Sequence, residues 1–137
     1  MKVDISLIQL ILGTIVFMAV GYYWYGKLFG ELWQKLTKVS TDKVTKKQMQ
    51  KSMTVAIVCG FVLNFVYQHV AQMSSYSFGQ GKFITGFQTA FWMWFGFVLL
   101  IMLMNNVYEQ KPKKLTLINS GYILTCLIIY GFLYFIF

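Results

Sequence analysis

The sequence of 137 residues contains few charged residues. Only 12% of its residues are charged, whereas a soluble domain carries about 25%. Hydrophobic residues make up 58% of the chain and aromatic residues 19%. A soluble domain of this composition would lack the polar surface that keeps it in solution. The composition therefore excludes an ordinary soluble domain.

Four windows contain no charge: 22 residues between Asp4 and Lys27, 30 between Lys51 and Lys82, 26 between Lys82 and Glu109, and 23 after Lys114. A helix needs about 20 apolar residues to cross the hydrocarbon core. The alternating segments of about ten residues that a barrel would show are absent. We predict an all-α integral membrane protein with a single domain over residues 1–137. Its antiparallel bundle has four transmembrane helices, at about 5–26, 53–73, 83–108 and 115–137.

Residues that carry out catalysis or bind metals are also scarce. His69 is the only histidine, so the chain alone cannot supply a zinc site or a bis-histidine haem. Cys59 and Cys126 form no CxxC motif, and no glycine-rich phosphate loop precedes a lysine. The sequence predicts no cofactor, no metal site and no catalytic residue, and it favours a protein that is not an enzyme.

Arginine is absent, and all 12 basic residues are lysine. Seven lie in the first connection, at 27–51, and three in the third, at 111–114, whereas the second connection has only Lys82 and the start of the chain only Lys2. Positive charge marks the cytoplasmic side of a membrane protein. We therefore predict an inner (plasma) membrane protein with cytoplasmic first and third connections and both termini outside. The net charge of +8 then reflects topology and attraction to anionic lipid rather than nucleic-acid binding.

The first connection has its own pattern. Its apolar residues recur at helical spacing: Leu28, Phe29, Leu32, Trp33 and Leu36. This spacing predicts an amphipathic interfacial helix after the first transmembrane helix. Thr45 and Gln48 fit a capping box, so we expect the second helix to begin in the cytoplasm, near residue 42.

Small and amide residues recur every four positions along the second transmembrane helix. We name this set the small-residue stripe: Ser52, Ala56, Gly60, Asn64 and Gln68. Small residues let another helix approach closely, and amides hydrogen-bond across such a contact. One interpretation is packing within the chain's own bundle, and the other is a homodimer seam or a solute path.

Polar residues gather where three helices reach the cytoplasmic side. Asn105, Tyr108 and Glu109 fall on one helical face. Polar groups inside a membrane are costly unless paired, so they usually face the bundle interior. We predict a cluster that either satisfies its own hydrogen bonds or binds a headgroup, an ion or a polar solute. Its members are Asn105, Tyr108, Glu109, Asn119, Tyr122, Trp24 and Tyr25.

Two stretches resemble domain-of-unknown-function family 1761, small four-helix bacterial membrane proteins. They are Gly21–Leu36, GYYWYGKLFGELWQKL, and Asn105–Ile123, NNVYEQKPKKLTLINSGYI. The resemblance implies these family positions: Trp24, Tyr25, Phe29, Gly30, Trp33, Asn105, Tyr108, Glu109, Asn119, Gly121 and Tyr122. The sequence departs from the family pattern at two positions. The resemblance implies histidine where the chain has Ile123, and glycine or arginine where it has Gln110. The resemblance implies an architecture and the position of a site, not a reaction.

The sequence favours a non-enzymatic accessory, scaffold or oligomer-forming subunit of a membrane complex. The first alternative is a transporter or channel for a small solute or lipid, assembled from two or more copies. A weaker alternative is an enzyme that acts on lipid headgroups through Glu109. The expected partners are the lipid bilayer, anionic lipids at the lysine-rich face, and further copies or a larger membrane complex.

Overall fold

The computed structural model describes residues 4–137, which form helices joined by short connections and contain no β-strand. Lys2, part of the charge pattern above, lies outside the described residues. Within them, four helical segments are long and apolar enough to cross a membrane: Leu7–Leu28, Lys46–Phe78, Lys82–Tyr108 and Lys113–Ile136. The prediction of an all-helical protein with four such helices is confirmed.

The first segment begins as α1, Leu7–Tyr23, and ends in a π-helical segment, Trp24–Leu28. The side chain of Ser6 caps α1 by accepting a hydrogen bond from the backbone N–H of Gln9. A short helix, α2, follows at Gly30–Thr37. It lies where the sequence predicts an amphipathic helix, with its charged residues exposed and Trp33 half-buried.

The second segment is the single helix α3, Lys46–Phe78, of 33 residues. Thr45 and Gln48 form the predicted capping box at its start, and Gly79 ends it with a left-handed φ of 63°. At 1.5 Å per residue the helix is about 50 Å long, longer than the hydrocarbon core of about 30 Å. The helix therefore extends beyond the predicted span, 53–73, at both ends.

The third segment contains α4, Lys82–Met93, a π-helical segment, Trp94–Leu99, and α5, Leu100–Tyr108. Pro112 then precedes α6, Lys113–Ile136. Half of the residues in the most apolar stretch of α6 are buried. The corresponding share is 22% in each of the first two segments and 11% in the third. Helix α6 is therefore the central element of the fold.

Two tryptophans attach the neighbouring segments to α6. Nε1 of Trp24 donates to the carbonyl oxygen of Ile118 at 3.0 Å, and Nε1 of Trp94 donates to that of Ser120 at 2.9 Å. Each tryptophan is the first residue of a π-helical segment. Because residues two apart are rotated by roughly 200° on a helix, the two indoles approach α6 from different sides.

Buried tyrosines and a close glycine contact complete the core. The hydroxyl of Tyr67 donates to the carbonyl oxygen of Gly86 at 2.6 Å, so this buried polar group is satisfied. Helices α4 and α6 meet at Gly86 and Gly131, where a Cβ on Gly86 would lie 3.0 Å from the carbonyl oxygen of Gly131. A larger residue at position 86 would require the two backbones to move apart by a few tenths of an ångström.

Two clefts show which connections share an end of the molecule. One cleft, which we call the loop cleft, is lined by residues 33 and 35–39 of the first connection and 109–112 of the third. Asp4, Gln72, Lys82 and Tyr134 line a cavity between the opposite ends of the helices. The lysine-rich connections therefore lie together at one end, which we call the lysine-rich end.

Candidate functional site

A cavity of about 530 Å³ lies near the lysine-rich end, and we name it the Tyr25 cavity. The π-helical segment after α1, helices α2, α5 and α6, and the first connection all contribute to its wall. Its lining contains no charged residue: Tyr25, Trp33, Gln34, Thr41, Met102, Asn119, Tyr122 and Ile123. The cavity therefore presents aromatic surfaces, hydroxyls and amides.

Tyr25 and Asn119 form the polar centre of this wall. The Tyr25 hydroxyl donates to Oδ1 of Asn119 at 3.0 Å. The Tyr25 ring also lies edge-on to Trp33 and to Tyr122, with centroid distances of 5.8 and 5.4 Å. No hydrogen bond from Nδ2 of Asn119 is present within residues 4–137. An amide donor of this half-buried residue is therefore available to a ligand.

Tyr122 and Trp24 position this wall by anchoring helices to one another. Tyr122 is 8% exposed, and its hydroxyl donates to the carbonyl oxygen of Phe17 at 2.8 Å. Trp24 lies against Gly121, where a Cβ would be 3.2 Å from Cζ2 of the indole. Trp24 does not line the cavity, so its contribution is to hold the first segment on α6.

The other three residues of the predicted cluster lie apart from Tyr25 and Asn119. Asn105 is exposed and lines a separate groove. Tyr108 is 83% exposed, and Glu109 forms an ion pair with Lys111 at the edge of the loop cleft. None of the three lines the Tyr25 cavity.

The adjacent asparagine makes the contact with α6. Nδ2 of Asn106 donates to Oγ1 of Thr116 at 2.6 Å. Since successive residues are rotated by about 100° on a helix, Asn105 and Asn106 face different directions. Of this asparagine pair, Asn106 joins α5 to α6 through a side-chain hydrogen bond, and Asn105 faces the groove.

An apolar groove of about 690 Å³ opens between α3 and α5. Asn105 is its only amide, and the groove is lined by Phe17, Val58, Cys59, Val62, Leu63, Val66, Phe97, Val98, Ile101, Met102, Asn105 and Ile123. Met102 and Ile123 line both this apolar groove and the Tyr25 cavity. The two spaces are therefore neighbours that share a boundary of two side chains.

Part of the small-residue stripe packs within the chain. Nδ2 of Asn64 donates to the carbonyl oxygens of Gln9 and Leu10 at 2.9 and 3.3 Å, and Oε1 of Gln68 accepts from the backbone N–H of Ser6 at 2.9 Å. Gly60 lies against Phe17.

The two residues of the small-residue stripe nearest the lysine-rich end have a different environment. Ser52 is exposed and Ala56 is half-buried. The part of the stripe from Gly60 to Gln68 therefore packs against α1 and the residues just before it. The part at Ser52 and Ala56 is open.

Sequence reasoning did not assign Trp33, Gln34, Thr41, Met102 and Ile123 to the site. Trp33 carried a usable signal, because it belongs to the Gly21–Leu36 resemblance and to the amphipathic pattern. Ile123 stands out in the sequence only as a departure from the resemblance. Gln34 and Thr41 lie in a connection whose path the sequence does not define. Met102 is one apolar residue among many, so no pattern identified it.

Metal-binding groups are absent from the part of the chain that the structure describes. No group of three or more histidine, cysteine, aspartate or glutamate side chains lies close enough to hold an ion there. Glu109, the acid of the predicted cluster, does not line the Tyr25 cavity. The lining of the Tyr25 cavity consists of hydroxyl, amide, aromatic and apolar side chains.

Comparison with known proteins identifies one family. Residues 8–134 match the model of the family described as "Protein of unknown function (DUF1761)". The match includes both stretches on which the resemblance rested, so that prediction is confirmed. No curated protein and no solved structure matches the chain at a significant level.

Proposed function

The chain belongs to the DUF1761 family, and we propose that it is a multi-pass membrane protein that binds an amphiphile with an uncharged headgroup. The headgroup occupies the Tyr25 cavity and the tail occupies the apolar groove. One observation supports this proposal above the others: Met102 and Ile123 line both spaces. A ligand that fills both must be polar at one end and apolar at the other.

The lining of the Tyr25 cavity selects the chemistry of the headgroup. Tyr25, Thr41 and Asn119 offer hydroxyl and amide groups, and no lysine, aspartate or glutamate lines the space. A charged headgroup would lose its hydration without gaining an opposite charge, which is costly. An uncharged headgroup with hydroxyl or carbonyl oxygens can hydrogen-bond to the wall and pack against Trp33.

The apolar groove suits an acyl chain. Val58, Val62, Phe97 and Ile101 line it, and each is between 46% and 72% exposed. All four belong to the long apolar segments that can cross a membrane. The groove therefore opens towards the lipid at the depth of the hydrocarbon core, where acyl chains surround the protein.

The proposed topology would put the site in one leaflet. We propose that the four long helices form an antiparallel bundle in the bacterial inner membrane, with both termini outside. The positions of the lysines support this orientation, because ten of the 12 lie within residues 27–51 and 111–114, and these two stretches meet at the loop cleft. Anionic lipids at this face would contribute about 1 kcal/mol per lysine near the surface. The Tyr25 cavity then opens in the cytoplasmic leaflet.

An accessory role in a larger assembly is the second proposal. It is supported by the exposed end of the small-residue stripe, where Ser52 and Ala56 offer a place for a second helix to approach. A second copy or another membrane subunit fits this face. Transport along the stripe is less well supported, because Asn64 and Gln68 are fully buried and bonded to the start of the first segment.

The natural cysteines allow a direct test of the amphiphile proposal. Cys59 is exposed and lines the apolar groove, whereas Cys126 is buried. A membrane-permeant maleimide should therefore label Cys59 in purified protein in nanodiscs. We expect monoolein, a neutral single-chain amphiphile, to slow this labelling in a saturable way.

Two variants distinguish specific binding of monoolein from a mere dilution of the maleimide in the bilayer by the added monoolein. Asn119→Leu should weaken the protection by monoolein, because it removes the amide at the headgroup position. Tyr108→Phe is the matched control, since Tyr108 is 83% exposed and lines neither space. Equal protection by monoolein and an anionic lysolipid of the same chain length would refute the uncharged headgroup. A disulfide between two Cys59 residues that forms readily would instead put a second copy in the groove.

A further inference from the structure

A second cavity lies at the end of the molecule opposite the lysine-rich end, and we name it the Gln9 cavity. It has a volume of about 310 Å³ and its lining includes Asp4, Gln9, Gln68, Lys82 and Tyr134. These residues come from the start of the first segment, from α3, from the first turn of α4 and from the end of α6. The cavity shares no lining residue with the Tyr25 cavity or the apolar groove.

One buried side chain in this wall has an unused donor. Gln9 is 1% exposed, and its Nε2 has no hydrogen-bond partner among residues 4–137. A buried amide donor that stays unpaired is unfavourable, and native structures rarely contain one without a ligand or water. Because Gln9 lines the cavity, an acceptor atom bound inside it would supply a partner for this side-chain amide.

The two neighbouring glutamines, Gln68 and Gln72, already have hydrogen-bond partners. Oε1 of Gln68 accepts from the backbone N–H of Ser6 at 2.9 Å, and Oε1 of Gln72 accepts from that of Asp4 at 2.8 Å. The side-chain N–H groups of both glutamines donate back to the carbonyl oxygens of the same two residues. These paired bonds hold residues 4–6 against α3, so neither amide is free to turn towards Gln9.

Two opposite charges complete the wall. Asp4 and Lys82 both line the cavity, and the only ion pair within residues 4–137 joins Lys111 to Glu109 elsewhere. Nζ of Lys82 lies 5.8 Å from the centroid of the Tyr134 ring. The cavity therefore offers a cation and a neutral donor for an anionic group, and a separate carboxylate for a cationic group.

We propose that the Gln9 cavity binds a small free zwitterion of the amino-acid type. Its carboxylate lies between Lys82 and Nε2 of Gln9, and its ammonium group faces Asp4. The volume equals that of roughly ten water molecules at about 30 Å³ each, which suits a solute of a few heavy atoms. This proposal is independent of amphiphile binding, because the two sites have no residue in common.

Thermal unfolding of the full chain in phosphatidylcholine nanodiscs tests the assignment. The probes are glycine, acetate and methylammonium at matched ionic strength, so the zwitterion is compared with each of its halves. We expect glycine to raise the unfolding temperature in a saturable way and the two half-probes to have much weaker effects. Lys82→Met should weaken the apparent affinity for glycine by about tenfold, since it removes a charge-assisted bond.

Lys113→Met is the matched control. Lys82 and Lys113 are each the first residue of a segment long enough to cross a membrane, but Lys113 lies at the lysine-rich end and outside the Gln9 cavity. Gln9→Met keeps the size of the side chain and removes its donor, and we expect it to weaken glycine binding as well. If Gln9→Met does not fold, the comparison of the two lysine variants still decides the question.

Four results would overturn the proposal. The first is no saturable response to any of the three probes, which would leave water as the occupant. The second is an equal response to acetate and glycine, and the third is a glycine response unchanged in Lys82→Met. The fourth is stabilisation by phosphatidylethanolamine added to the nanodiscs without any response to glycine, because a lipid headgroup would then supply the two charges.

Discussion

Replacing Gly60 by leucine should destabilise the protein by disrupting the contact between α1 and α3. A Cβ at this position would lie 2.8 Å from Cγ and Cδ1 of Phe17 and 2.9 Å from its Cβ. Phe17 is 7% exposed and packs on Tyr122 at a centroid distance of 5.1 Å, so it has little room to move. Overpacking of this kind costs about 1–3 kcal/mol. A loss of about 2 kcal/mol would lower the ratio of folded to unfolded protein by roughly 30-fold.

Ser52→Leu provides the control for this prediction. Both positions belong to the small-residue stripe and change from small to large, but Ser52 is exposed. Unfolding by SDS, followed by tryptophan fluorescence, should show a marked loss of stability for Gly60→Leu and almost none for Ser52→Leu. The reasoning fails if Gly60→Leu is as stable as the wild-type protein, or if it acts only by changing the oligomeric state.

Three further substitutions test individual contacts by the same SDS unfolding. Trp94→Phe should lower the free energy of unfolding by about 1 kcal/mol, because phenylalanine has no N–H to donate to the carbonyl oxygen of Ser120. Trp92→Phe is the control and should lower it little, since Trp92 is 58% exposed. Thr45→Ala should cost about 1 kcal/mol by removing the capping box, with faster amide exchange confined to the first turn of α3. Gln110→Gly should gain about 0.5–1 kcal/mol, because Gln110 has a φ of 53° that glycine adopts without strain. An unchanged or lower stability for Gln110→Gly would contradict this account of the turn.

The number of helices could be predicted because each uncharged window is long enough to cross a membrane. Their ends were harder to predict, since helices continue past the apolar region. The second helix begins at Lys46, seven residues before the predicted span, and only the capping box at Thr45 and Gln48 signalled that extension. Nothing in the sequence pattern indicated the π-helical segments at Trp24–Leu28 and Trp94–Leu99.

Those segments also explain why only part of the predicted cluster comes together. A π-type turn adds a residue to the turn, which rotates the following helix by about 100° relative to the preceding one. Helical periodicity indicated that Asn105, Tyr108 and Glu109 share a face, but it could not indicate which face α5 turns towards α6. Tyr25 and Asn119 meet because the first segment and α6 are held together at Trp24.

The most direct test of the proposed function is whether the Tyr25 cavity and the apolar groove act as one site. Met102→Trp would fill the boundary between them, and Met104→Trp is the matched control because Met104 is 53% exposed and lines neither space. The measurement is the bound fraction of monoolein by native mass spectrometry. We predict about tenfold weaker binding for Met102→Trp and wild-type binding for Met104→Trp. Wild-type binding by both variants would contradict a single amphiphile site.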